Sequence, residues 1–342
     1  MFAAVAHWHS ESDLATSSTP TLAPQHLDRS QILFECVASL LDLDVDRVVV
    51  AVLTNQASHT ARELSSRLPA GSGEPPVSVH PHMGSFELQR AGARQIAVIG
   101  WRPGLMRRHG FYLTWAHKPL FRRVLGDPGF SHLIYLEDDI RFTRESLAYW
   151  CRFREPLARH GLLPGFVRYE SLGDARYLPD HRRRQQVDRA DRQCLVLREP
   201  LSGDASTLDL RFVSLENPYQ AMYVLDRGLA SDHLWRSPAR SPLLSRTIRW
   251  PNNDIQWRAA LIRERAALGP ILDEVPPGFG SRNVVPAQMP RPGQYRLDPA
   301  CLIEHLAANK VPSFPTSQRI LVEDMFLDTS GDAQLAGLPP GQ

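Results

Sequence analysis

The stretch Ser131-His132-Leu133-Ile134-Tyr135-Leu136-Glu137-Asp138-Asp139-Ile140 decides how this chain is read. Four apolar or aromatic residues, Leu133 to Leu136, run straight into three carboxylates. A short continuous apolar run bounded by polar residues reads as a buried strand. Acids at its C-terminal end then stand at the edge of an open α/β sheet, where such folds hold their ligands. Three adjacent carboxylates repel one another and gain nothing inside a core. A hard divalent cation between them and a phosphate makes their proximity favourable.

The flanks alternate between strand and helix. Phe2 to Ala6 reads as a first strand, and β-branched Val48 to Leu53 as a second that stops at Thr54-Asn55. Between them Asp28-Arg29-Ser30 opens a helix whose apolar residues Ile32, Leu33, Cys36, Val37, Leu40 and Leu41 recur with a period of 3.6. Ala70 to Pro76 reads as loop, Gln95 to Ile99 as a strand, and Phe111 to Leu125 and Glu145 to Glu155 as helices on either side of the acids. This order predicts an α/β fold, a Rossmann-type α/β/α arrangement around a mainly parallel sheet. After Pro164 the charge-dense Arg176 to Arg192 reads either as a solvated loop or as a mobile arm over a ligand. Arg211 to Ser214 and Gln220 to Leu225 read as strands returning to the sheet, and Asn253 to Leu268 as an amphipathic helix. Val275 to Pro292 reads as a Pro/Gly-rich loop, Cys301 to Leu306 as a short apolar element, and the end after residue 325 as a frayed tail.

A chain of 342 residues can bury a sizeable core. Its net charge of +2 argues against bulk attraction to nucleic acid or to a membrane surface. Cys36, Cys151, Cys194 and Cys301 are too far apart in sequence for a CxxC pair and read as free thiols in a reducing compartment. Met1 to Ala6 lacks the basic flank of a signal peptide, and no apolar run approaches the ~18 residues of a membrane span. The expectation is a cytoplasmic protein, peripheral at most to the inner face of the membrane. The sequence does not fix an oligomeric state.

Glu137-Asp138-Asp139 at a strand end resembles the DXD-type motif of GT-A-fold glycosyltransferases. Tyr112 to Lys118 before it, Tyr149 to Leu157 after it, Asn217-Pro218-Tyr219, Pro277 to Arg282, and His305 with Asn309 resemble a GT-A-like group found in bacteria and eukaryotes. The resemblance spans roughly residues 2 to 310. It implies a single GT-A domain with residues 1–140 as the nucleotide-sugar half, 141–310 as the acceptor half and 311–342 as a C-terminal tail. The implied reaction moves a sugar from a UDP- or GDP-sugar to a glycan or other hydroxyl acceptor, in cell-surface polysaccharide or glycoconjugate synthesis, with Mn²⁺ or Mg²⁺.

The resemblance also implies roles. Asp139 is the direct metal ligand, with Glu137 on the same side of the extended segment and Asp138 turned by alternation toward ribose or donor sugar. His305 is a third contributor from the far end of the chain, with Asn309 beside it on the donor. Ala6, His7 and Trp8 lie where base and ribose are held, Trp8 stacking on the base. Thr54 and Asn55 share that edge. Lys118, or one of Arg102, Arg107 and Arg108, pairs with the diphosphate. Tyr219 and Arg282 fall on the acceptor side. A general base, needed for inversion, is Asp254 or Glu264; Asn253 stands where the family's second acidic motif often has Glu. Inversion and retention both stay open. His7 and His9, two apart with no third ligand nearby in sequence, make a weak zinc signal. A nucleotidyltransferase would carry a Gly-rich basic signature where His7-Trp8-His9-Ser10-Glu11 stands. A non-catalytic carbohydrate- or nucleotide-binding protein on the same scaffold is a further alternative. A metal-dependent hydrolase is weaker, for want of an HExxH-type cluster.

Overall fold

A computed structural model describes residues 1–9, 28–68, 76–88, 92–101, 113, 116–181, 183–185, 187, 194–200, 207–215, 220–235, 283–291 and 294–327. The chain divides into two compact units, Met1–Arg144 with Ala221–Glu274, and Glu145–Gln220 with Val275–Gln342.

The first unit is built on strands β1 (Phe2–His7), β2 (Val48–Thr54), β3 (Val77–His80), β4 (Arg94–Gly100), β5 (His132–Glu137) and β12 (Met222–Asp226). Its helices are α1 (Arg29–Leu41), α2 (Ala57–Arg67), α3 (His117–Val124) and α5 (Arg227–Trp235), and the two-residue β6 (Ile140–Arg141) follows the acids. The sheet order is β12-β5-β1-β2-β4-β3. β3, β4, β2, β1 and β5 are parallel and β12 is antiparallel to β5. The chain therefore leaves β1 toward β2 on one side and later returns to β5 on the other. Every residue of β1 and β2 is buried, which explains their unbroken apolar runs.

Helices cover both faces. Asp28 caps α1 by accepting from the Gln31 amide at 3.0 Å, and Leu33, Cys36, Val37 and Leu40 form its buried stripe. α1 packs on β1, β2 and α2, and α3 packs on β1 and α5. Phe2 meets Phe86, Phe121 and Phe130 edge-on at centroid distances of 6.2, 6.2 and 5.7 Å. His117 on α3 stacks on Tyr135 at 4.1 Å and hydrogen-bonds the Tyr223 hydroxyl, tying α3, β5 and β12 together. Arg227 donates to the carbonyls of Leu125, Asp127 and Phe130, fastening α5 to the turn before β5.

The second unit contains α4 (Arg144–Ala158, beginning at the unit boundary), β7 (Leu163–Pro164), β8 (Val167–Leu172), β9 (Ala175–Tyr177), β10 (Cys194–Pro200), β11 (Thr207–Ser214), β13 (Asn283–Arg291), β14 (Gln294–Leu297) and β15 (Leu302–His305). β10, β11, β13 and β14 form an antiparallel sheet with β7 parallel to β13. β8 pairs parallel with β15 and antiparallel with β9. Residues 311–327 run as short 3₁₀ turns that bury Val311, Ile320, Val322, Met325 and Phe326.

Four expectations change. β11 joins β10 and β13 instead of the parallel sheet, whereas β12 does return to it. Residues 283–291, expected as loop, form a strand although Pro286 lies within it, in register with Phe212 of β11. α2 and β3 were not anticipated: α2 buries only Thr60, Ala61 and Leu64, too narrow a stripe to show as periodicity, and β3 is a half-exposed edge. The described part of Arg176 to Arg192 is held in place. Leu178, His181, Gln185 and Val187 are buried, Gln185 bridges to Phe326, and Arg184 pairs with Asp324 at 3.4 Å. Arg183 and Arg184 nonetheless stay exposed, so the buried side chains and not the charge run tie this part down. The expected helix Asn253 to Leu268 and most of Trp101 to Trp115 lie outside the described residues.

Candidate functional site

Register brings the candidate residues to one edge. Ala6 lies level with Leu53 of β2 and Glu137 of β5, and His7 with Thr54. All three strands are parallel, so their carboxyl ends open together where the strand order reverses between β1 and β5. Such a reversal forms the crevice in which open α/β sheets hold ligands. β5 ends at Glu137, which is buried, and Asp138 and Asp139 form a half-buried turn before β6. The pleat alternation expected through all three acids thus stops at the first, because the backbone turns there. Asp138 faces β1 and accepts a hydrogen bond from His7 Nδ1. A carboxylate only accepts, so His7 carries a hydrogen on Nδ1 and turns its Nε2 away from Asp138.

That Nε2 lies 3.1 Å from His9 Nε2, in the segment leaving β1. Asn55 fixes this segment: its Oδ1 accepts from the His9 amide at 2.9 Å and its Nδ2 donates to the His9 carbonyl at 2.8 Å. Asn55 therefore positions His9, and its side-chain amide is already occupied there. Thr54 is buried, with its hydroxyl 3.2 Å from that of Thr60 on α2. His9 Nε2 also sits 2.9 Å from Thr60 Oγ1 and 4.0 Å from Glu63 Oε2. His59 Nε2 is 3.3 Å from Glu63 Oε1, which accepts from the Ser30 hydroxyl of α1. Burial pulls the His9 pKa down to about 4, helped by the neighbouring His7 and His59 and opposed by Glu63 and Asp138. His9 is therefore neutral at physiological pH.

Ala6 is buried in β1 and Trp8 is half-buried just beyond it. Lys118 lies in the first turn of α3 and is buried. His305 belongs to the second unit, buried with Nδ1 2.5 Å from Glu170 Oε1. Glu170 also accepts from the amides of Lys310 and Val311, and Asn309 beside them is exposed. Asp254, Glu264, Tyr219, Arg282, Arg102, Arg107 and Arg108 lie outside the described residues.

The structure thus joins His7, Asp138, Thr54 and Asn55, which the sequence nominated, with His9, which it weighed only as half of a weak zinc pair, and with His59, Thr60 and Glu63, to which it gave no role. The spacing of four between His59 and Glu63 was the available signal, since it sets both on one helical face. Asp138 and Asp139 offer hard oxygen donors on a half-buried turn, a donor set that suits Mn²⁺ or Mg²⁺. Among the described residues no helix is long and apolar enough to cross a membrane. No protein-family model matches the chain, and no curated protein matches it.

Proposed function

We propose that the chain is a metal-dependent glycosyltransferase of GT-A type, moving a sugar from a UDP- or GDP-sugar to a glycan or other hydroxyl acceptor. The observation that carries this is the position of the Asp138–Asp139 turn, at the carboxyl end of β5 beside β1, where the strand order reverses. Asp139, with Glu137, would hold Mn²⁺ or Mg²⁺, and the bound ion supplies Lewis-acid neutralisation of the departing diphosphate. Asp138 fixes the His7 ring at the floor of the crevice, and Asn55 fixes the segment that leads to it. Half-buried Trp8, on that segment, is the proposed stacking surface for the base. Asp254 or Glu264 is the proposed base if the reaction inverts configuration.

A panel of UDP-, GDP-, CMP- and ADP-sugars, assayed with Mn²⁺ and with chelator, tests the proposal by the nucleotide released. Metal-dependent release of UDP or GDP, lost in Asp139→Ala, is expected. Pyrophosphate released from a nucleoside triphosphate and a sugar phosphate would make the protein a nucleotidyltransferase instead. Metal-dependent nucleotide binding with no turnover on any donor or acceptor would favour the binding-protein alternative.

A further inference from the structure

Across the His7 ring from the acidic turn, we propose a cation site of a different chemical class: His9, His59 and Glu63 bind a zinc-class divalent ion. This goes beyond the transferase reading and stands without it. One ligand atom from each residue lies within 4.8 Å of the others. The His59 Nε2–Glu63 Oε1 distance is 3.3 Å and the His9 Nε2–Glu63 Oε2 distance is 4.0 Å. Tetrahedral zinc with bonds near 2.0–2.1 Å sets its ligand atoms about 3.4 Å apart, so small side-chain rotations close the site.

A further observation points to a cation. Among the described residues Glu63 Oε2 is buried and takes no hydrogen bond, although its partner oxygen accepts from Ser30 and faces His59. A buried carboxylate oxygen left so is costly unless something positive faces it. A divalent ion between them satisfies His9 Nε2 and Glu63 Oε2 together.

The supporting shell is already built. Asn55 holds the His9 backbone through two hydrogen bonds, Ser30 orients Glu63, and one face of α2 presents His59 and Glu63 four residues apart. Two imidazoles and a carboxylate prefer zinc to the magnesium or calcium that all-oxygen donors select. The two donor sets therefore sort cations: oxygen donors on the β5 turn, nitrogen-rich donors between the β1 exit and α2. Bound zinc would staple the segment after β1 to α2.

The test is Zn²⁺ titration by calorimetry into the full chain after chelator treatment, with excess Mg²⁺ and no nucleotide present. Co²⁺ absorption reports the coordination geometry. The expected result is one equivalent of Zn²⁺ and a tetrahedral Co²⁺ spectrum. His59→Ala and Glu63→Gln should each weaken Zn²⁺ by at least about 100-fold, beyond the loss typical of outer-shell residues, while Asp139→Ala keeps the wild-type affinity. Circular dichroism checks each variant's fold, and if one misfolds the other still decides. No stoichiometric binding by wild type, or unchanged affinity in a folded His59→Ala or Glu63→Gln protein, overturns the site. Loss of Zn²⁺ in Asp139→Ala alone would place the ion on the acidic turn and overturn it equally. No donor sugar enters the assay, so its failure is distinct from failure of the transferase proposal.

Discussion

Asp180 shows how a single residue carries stability in this protein. Burial would raise its carboxyl, but the Arg168 guanidinium, through charge and two hydrogen bonds of 2.6 and 2.7 Å, overrides this with help from Lys310 and His181 and holds the pKa at about 2. The folded value lies below the ordinary 3.8, so the stabilisation is complete above pH 3.8 and is lost as pH falls toward 2. Arg168→Met strands that carboxylate and should cost about 3 kcal/mol by urea denaturation at neutral pH. His9 works in a higher window. Its folded pKa of about 4 lies below 6.5, so the unfolded chain takes up a proton first and stability declines as pH drops from 6.5 to 4. His9→Gln should flatten that slope in a series of urea midpoints against pH, and an unaltered slope would assign it to other groups. Little of this was legible in the sequence. His7 and Asp138 are 131 positions apart, and His59 and Glu63 sit on a helix without an apolar stripe to announce it. A ligand set drawn from a strand exit and a neighbouring helix shows only once register is known.

At the scale of elements, the continuous apolar runs were legible because complete burial on both faces removes polar residues: β1, β2, β4 and β5 all appeared where the sequence set them. Half-exposed β3 and short-striped α2 lacked that signature, the apolar residues of β13 are interrupted by Pro286 and Pro290, and β10 was missed although Cys194 to Leu197 are a run of four apolar residues. Two substitutions test the packing of the parallel sheet. Phe2→Ala opens the space now filled by contacts with Phe86, Phe121 and Phe130, and should cost about 3–5 kcal/mol. Gly100 ends β4 where an added Cβ would lie 2.3 Å from the Pro81 carbonyl oxygen, just past β3. Gly100→Ala must push that backbone away, and a loss of about 1–3 kcal/mol is expected in thermal or urea melts. A wild-type melting curve for Gly100→Ala would show that the β3 exit yields freely.

For the whole molecule, the sequence predicted the α/β class and the return of a late strand to the first sheet, which β12 makes beside β5. The division of the first unit between two stretches of chain, Met1–Arg144 and Ala221–Glu274, follows from that return. The crevice residues His7, Thr54, Asn55, Asp138 and Asp139 all come from the first stretch. The most direct measurement of the central claim is calorimetric titration of UDP and of GDP into the full chain with Mn²⁺, repeated with chelator and with Asp139→Ala. The account predicts that one of the two nucleotides binds only when Mn²⁺ is present, and that Asp139→Ala abolishes binding while keeping the wild-type urea midpoint. Nucleotide binding that persists with chelator, or that is undiminished in Asp139→Ala, would contradict it.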